Sequence, residues 1–463
     1  MEKEIKKLKI TFCSGAGTVT GANFLIEQPD EGGMKGKKFL VDCGLVQGEK
    51  VADDQNWDPF PYDVSTIDYL FITHAHVDHL GRVPKLIADG FKGKIYSTTA
   101  TLGLAPAMLE DTMSILARDH EHGLDKIYTK ENVDKSIALW EGVPYHRAIN
   151  IEGGFTITFR DAGHILGSAM VEIVYNGKNI IFTGDLGNSP TPFLPDTEKV
   201  TDADYVIMES VYGDRNHESR NERKKMLESV IEDNYRRKGS LIMPTFSLER
   251  TQELLFEIND LVENRRIPEM PIFLDSPLAI RLTAVYRKYT DYFSAAAQKL
   301  ISSGDDIFTF PGLKVTVKTE ESKMILTTPD PKIIIAGSGM SNGGRIVHHE
   351  RNYLPNPNNT LLLTGYQSPG TLGRILQEGA KSVYIAGETI EVNARVVTIS
   401  GYSGHKDSDA LLNFVEDMGD RVQKIFVVMG EPKSELFLVQ RIRDFLGLYA
   451  YAPAAKETIE LDC

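Results

Sequence analysis

The chain opens on an alternation of apolar and polar residues, Leu8-Lys9-Ile10-Thr11-Phe12, which puts three apolar side chains on one face of a strand. Short β-rich runs recur at 38–42, 69–73, 94–97, 155–160, 169–175, 179–183 and 205–209. Later ones stand at 240–244, 271–274, 332–336, 360–364, 382–385, 395–399 and 424–429. Between many of them the apolar spacing lengthens to the helical period, most clearly at 220–237, 250–263 and 408–418. Strands alternating with helices predict an α/β protein with helix-covered sheets. No short-period repeat and no low-complexity tract interrupts the pattern.

The middle of the chain has a consistent habit of strand, polar or glycine-rich loop, then helix. It recurs at Pro244-Thr245-Phe246-Ser247, Asp275-Ser276-Pro277, Gly337-Ser338-Gly339-Met340 and Gly365-Tyr366-Gln367-Ser368. Such loops aim backbone N–H groups at a common rim where an anion can sit. One loop alone mostly just turns the chain; four at strand ends predict a shared anion-binding rim. The sharpest punctuation is Tyr212-Gly213-Asp214 before a charged helix, followed by a return to sheet pattern at 392–399.

With 463 residues the chain exceeds what one hydrophobic core usually organises, so two domains are expected. No apolar run is long enough to span a bilayer, and the polar N-terminus reads as no secretory signal. Cys13, Cys43 and Cys463 are the three cysteines, none in a CxxC pair, which argues against a disulfide framework and for the cytoplasm. The net charge of −14 argues against a basic protein that coats nucleic acid regardless of sequence. It leaves room for a nuclease whose metal ions supply local positive charge.

The candidate chemistry is concentrated after the run 69–73, in Thr73-His74-Ala75-His76-Val77-Asp78-His79. Four metal-binding side chains fall within six residues, although histidine is scarce (11 in the chain). His74 and His76, two apart in extended backbone, point to one side. Imidazole and carboxylate are the donors that zinc takes in sites with open positions. The competing reading is a polar helix start with Asp78 as cap. Two later strand ends add His164, in Asp161-Ala162-Gly163-His164, and Asp185, in Thr183-Gly184-Asp185. Asp42, at another strand end, is expected to hold a ligand by hydrogen bond.

The order Asp42, His74-x-His76-x-Asp78-His79, His164, Asp185 resembles the metallo-β-lactamase superfamily. Met208-Glu209-Ser210-Val211-Tyr212-Gly213 and Ser403-Gly404-His405-Lys406-Asp407 resemble motifs A and B of its β-CASP nuclease branch. Leu274-Asp275-Ser276-Pro277, Gly339-Met340-Ser341 and Gly370-Thr371-Leu372-Gly373-Arg374 are similar to its bacterial and archaeal members of the cleavage-factor type. The resemblance covers roughly residues 8 to 461. It implies an α/β fold: a metallo-β-lactamase αββα sandwich at 1–213 and 393–463, with an α/β β-CASP domain inserted at 214–392.

The resemblance also implies roles. His74, His76 and His164 hold a first zinc ion, Asp185 bridges, and Asp78 and His79 complete a second site. A shared hydroxide then attacks a phosphodiester in line. Asp78, Glu209 and His405 form the catalytic set, with His405, oriented by Glu209, as general acid. Single-stranded RNA is the expected partner, with DNA left open; no membrane is expected, and a homodimer is compatible. One position departs from the pattern. RNA-acting members carry a histidine in a His-Gly-Glu turn, where this chain has Met429-Gly430-Glu431. A thioether is a poor zinc ligand, so the second site is expected to be weaker, and the preference for RNA over DNA loses one support.

Other histidines are weighed differently. His120 and His122 lie in a polar stretch and read as a solvated helix face, while His348 and His349 stay open between cleft, core and solvent, or as substitute ligands near Met429. The basic cluster Arg223-Lys224-Lys225, interleaved with acids, reads as a solvated amphipathic helix. The competing functions are a small-molecule hydrolase on the same fold, which needs no inserted domain of this size, and a nucleic-acid-binding subunit with a weakened site.

Overall fold

The computed structural model describes residues 7–47, 55–118, 122–218, 220–368 and 370–463; His120 lies outside them. The chain divides into two compact bodies. The first comprises residues 1–191, 196–216 and 405–463, the second 192–195 and 217–404. Among the described residues no helix is long and apolar enough to cross a membrane.

The first body is built on two seven-stranded sheets. One orders its strands Thr458–Asp462, Lys7–Ser14, Asn23–Glu27, Lys38–Val41, Tyr69–Phe71, Lys94–Thr98 and Trp140–Val143. The other runs Ala450–Tyr451, Lys424–Val427, Tyr205–Met208, Lys178–Phe182, Ala169–Tyr175, Phe155–Asp161 and Ile149–Ile151. The alternation of the first strand is physical: Leu8, Ile10 and Phe12 are fully buried. Their face meets the other sheet through ring pairs Phe12–Phe426, Phe24–Phe182 and Phe39–Phe155, at centroid distances of 5.9, 5.8 and 5.1 Å. Helices Ser408–Glu416 and Pro432–Arg441 bury Leu411, Val415 and Leu438 in a second core with Val206, Ile425 and Val427. The architecture is the α/β sandwich with an inserted α/β domain that the sequence implied.

The second body holds a six-stranded parallel sheet, ordered Leu313–Val315, Ile272–Asp275, Lys332–Ala336, Ser240–Pro244, Thr360–Thr364 and Arg395–Ile399. Lys332–Ala336, Ser240–Pro244 and Thr360–Thr364 are buried at every position, as expected of parallel strands covered on both faces. Arg395–Ile399, read from the sequence as the return to the first domain, pairs in parallel with Thr360–Thr364. It therefore belongs to the inserted sheet, and the change of body falls after Gly404.

Two further features depart from the sequence reading. Pro192–Pro195 belongs to the second body, where Phe193 is fully buried against Phe293 and Phe308, at 5.3 and 5.5 Å. Arg223 is not solvated: it is buried between Glu253 and Glu257, because its own helix turns that face inward.

Candidate metal centre

Each metal-binding side chain sits where a strand of the first body ends. Tyr69–Phe71 leads into His74 and His76, and the short helix Val77–Leu80 starts at His76 and carries Asp78 and His79. Phe155–Asp161 and Lys178–Phe182 lead into His164 and Asp185. Tyr205–Met208 ends one residue before Glu209, and His405 forms a bridge with Gly187. Asp78 is not the cap of its helix; His76 occupies that position, without a capping side-chain bond.

Four donor atoms crowd together. His76 Nδ1 lies 3.1 Å from His74 Nε2 and 3.3 Å from His164 Nε2. Asp185 Oδ2 lies 3.3 Å from His74 Nε2 and 3.6 Å from His164 Nε2. A tetrahedron with arms of ~2.0–2.1 Å, the zinc–nitrogen length, has edges of about 3.3 Å. These are the spacings of a ligand cage. Burial, then the neighbouring His74 and His164, hold the His76 pKa well below the ordinary range, so His76 offers lone pairs.

A second set stands beside the first. Asp42 accepts from His79 Nδ1 at 2.7 Å and from the Thr73 amide and hydroxyl, both at 2.8 Å. With its proton on Nδ1, His79 presents a lone pair from Nε2, and that atom faces Asp185 Oδ1 at 3.3 Å. Asp78 Oδ2 is 3.9 Å away from the same nitrogen. His79 Nε2 and Asp185 Oδ1 are both buried and make no hydrogen bond. Either a proton on Nε2 or a bound cation reconciles the two atoms. Burial disfavours charge on His79, but Asp185 and Asp42 outweigh it and raise its pKa well above the ordinary value. A dication among these donors takes the place of that proton. The residues present therefore fit a metal ion among His74, His76, His164 and Asp185, and the donors around His79 stand beside that group.

Met429 lines a small cavity together with His79, Asp42, Thr73 and Glu209, beside the second donor set. Its amide donates to the Gly15 carbonyl at 2.6 Å, and its sulfur packs against Gly15. The backbone at Met429 has φ of 51°, a left-handed conformation in which histidine and asparagine are enriched.

Glu209 is buried and held on both oxygens: Oε1 accepts from the Leu186 amide at 2.6 Å, and Oε2 from the Val211 amide at 3.3 Å. Oε1 also lies 3.2 Å from His405 Nδ1. Burial works against charge on His405, yet Glu209 and Asp185 raise its pKa to about 9. Asp185, Glu209 and His405 also bring donor atoms within 4.8 Å of one another. Of the sequence-predicted residues, Asp42, His74, His76, Asp78, His79, His164, Asp185, Glu209 and His405 converge on one end of the first body. The supporting role of Thr73, which ties Asp42 to the ligand strand, was not read from the sequence; a hydroxyl beside a ligand motif is its only signal.

Known proteins resemble the chain along most of its length. Residues 33–205 match the metallo-beta-lactamase superfamily domain, 251–376 the Beta-Casp domain, and 389–453 the Zn-dependent metallo-hydrolase RNA specificity domain. The chain is similar to Ribonuclease TTHA0252 of Thermus thermophilus, 35% identical over 403 residues that cover 87% of this chain and 90% of that protein. It is similar to transcription termination factor FttA of Methanosarcina mazei, at 30% over 98% of this chain and 72% of that one. An RNase J-like protein of Methanocaldococcus jannaschii is 30% identical over 90% of this chain and 92% of its own. Among solved structures, a protein of unknown function from Enterococcus faecalis V583 shares the fold, with a TM-score of 0.55 at 13% identity over 98% of this chain and 100% of that one.

Proposed function

Because this chain belongs to the β-CASP family of metallo-β-lactamase hydrolases, we propose that it is a zinc-dependent ribonuclease that cleaves phosphodiester bonds of single-stranded RNA in the cytoplasm. The observation that carries the reading is the pair of donor sets sharing Asp185, one at the edge lengths of a tetrahedron and one with opposed acceptors. His74, His76, His164 and Asp185 would hold one zinc ion, and Asp78, His79 and Asp185 a second. When bound, the ions supply Lewis acidity for an in-line displacement at phosphorus.

The protein's own groups do the rest. Asp42 fixes the tautomer and orientation of His79. Glu209 holds His405 through Nδ1, which leaves the Nε2 proton for the departing oxygen. The match to the RNA specificity domain and the ribonuclease relatives support RNA over DNA. The free cysteines fit a reducing compartment. Met429 makes the second site the weaker of the two, which is the one observation that favours a binding subunit over an active enzyme.

The test pairs metal analysis with cleavage of 5′-labelled RNA and DNA of one sequence. His74→Ala and His164→Ala should lose zinc and cleavage together, and the parent should cut RNA faster. Full zinc occupancy in both variants, or preferential DNA cleavage by the parent, overturns the corresponding part of the reading.

A further inference from the structure

Just ahead of His405 in the chain, the second body contains a buried ionic cluster that the proposed chemistry does not use. The turn Ser400–Tyr402 follows the strand Arg395–Ile399. Tyr402 is fully buried and donates its hydroxyl to Glu257 Oε2. Arg223 donates to the Gly401 carbonyl at 2.7 Å and to Glu257 Oε1 at 3.1 Å, and its guanidinium lies 4.6 Å from the centre of the Tyr402 ring. Arg250 pairs with Glu253, which also accepts from Arg223. Gly401 packs so closely that a Cβ there would stand 3.2 Å from the Arg223 Cβ. Ser400 is tied separately to Glu218 through its hydroxyl.

Two arginines and two glutamates buried together are an expensive way to hold a turn. Apolar residues of similar volume commonly do as well or better for stability alone. What the cluster supplies is a fixed position for Gly401 and Tyr402. Beyond them the chain has only Ser403 and Gly404 before His405. From His405 onward it is held again, by Glu209 on Nδ1 and by the Lys406 amide on the Leu186 carbonyl at 2.9 Å. Three peptide steps, at most about 11 Å of chain, separate Tyr402 from His405. A shift of the anchor therefore has little slack in which to dissipate before it reaches the imidazole.

We propose that Arg223, Glu257 and Tyr402 are positioning residues for the proton-donating His405, holding the strand end from which its imidazole is delivered. This rests on the reading of His405 as the proton donor. Such a group matters in proportion to how badly the leaving oxygen needs a proton. A ribose oxygen needs one; p-nitrophenolate does not.

The test uses the full-length protein with its metal. Tyr402→Phe, Glu257→Gln and His405→Ala are compared on RNA and on bis(p-nitrophenyl) phosphate, alongside metal content and thermal unfolding. Tyr402→Phe and Glu257→Gln should each lose about tenfold or more in the cleavage step on RNA and less than about twofold on the activated ester, with zinc unchanged. Tyr402→Phe added to His405→Ala should cost less than about a further twofold on RNA, because both act through one group. Equal losses on the two substrates, or full additivity in the double variant, overturn the positioning role. If His405→Ala itself loses equally on both substrates, the proton-donor reading fails first, and the proposal with it. Should Tyr402→Phe not fold, Glu257→Gln, which keeps an acceptor for the tyrosine hydroxyl, carries the same comparison.

Discussion

Each body of this protein contains a buried aspartate–histidine pair with a 2.7 Å contact, Asp42–His79 in the first and Asp275–His349 in the second. In the second, Asp275 is saturated. It accepts from Arg345 at 2.7 Å, from Ser322 at 2.6 Å and from Thr316. Burial works against its charge, but His349 and these three donors together hold its pKa far below the usual range. The other nitrogen of His349 meets no carboxylate among the described residues. In the first body, the far nitrogen of His79 confronts Asp185, which is also without a hydrogen bond on that side. The pair alone therefore says nothing about function. What separates the two pairs is whether the outer nitrogen of the histidine faces a second carboxylate.

Removing the two aspartates should separate the roles. Asp275→Ala leaves Arg345 and His349 without their shared acceptor, and a loss of about 3 kcal/mol or more of stability is expected in denaturant unfolding, with zinc content untouched. Loss of zinc in that variant would mean that the second body takes part in the metal centre and would collapse the contrast.

The second body also carries a carboxyl kept neutral. Burial raises Glu350 to about 8, against a hydrogen bond from Ser341 that acts in the other direction. A carboxyl raised in the folded state contributes stability that is intact below its unfolded value of about 4.5 and is lost as pH rises toward 8. Parent stability should therefore fall, relative to Glu350→Gln, by on the order of a few kcal/mol between those limits. Parallel stability–pH curves for the two proteins would refute the neutral carboxyl.

Asp42→Ala should act the other way round from Asp275→Ala. Zinc affinity, measured by chelator competition, is expected to fall by about 10- to 100-fold, the usual cost of losing the partner that orients a metal-bound histidine. Unchanged affinity would make Asp42 an anchor like Asp275.

The smallest effect concerns Met429. Its left-handed backbone suits histidine, so Met429→His should fit without strain and tighten the second metal by about tenfold, reducing the need for added Zn²⁺. Two equally tight sites in the parent would show that the methionine is harmless.

Much of this was legible in the sequence because the candidate metal donors sit at strand ends, where a period-two pattern stops at a polar residue. His74, His164 and Asp185 each follow such a run. The second body's central strands were legible for the opposite reason, as unbroken apolar runs. Arg395–Ile399 was given to the wrong body because a strand's pattern reports its burial and not its sheet. Arg223 was misread because acids at helical spacing look alike whether they face water or, like Glu253 and Glu257 on another helix, enclose a buried cation. Phe193 gave no signal at all, since two residues between two prolines have no period.

The pairing of Lys7–Ser14 with Thr458–Asp462 bears on how the protein is made. The hydroxyls of Thr11 and Thr458 meet at 2.8 Å across 447 positions of chain. During synthesis the ribosome emits one partner of that sheet edge long before the other. The first body, with its Tyr205–Met208 strand likewise waiting for Lys424–Val427, cannot close until the second is already outside the exit tunnel. The inserted domain is thus the earlier of the two able to finish folding, and the body that binds metal is the later one.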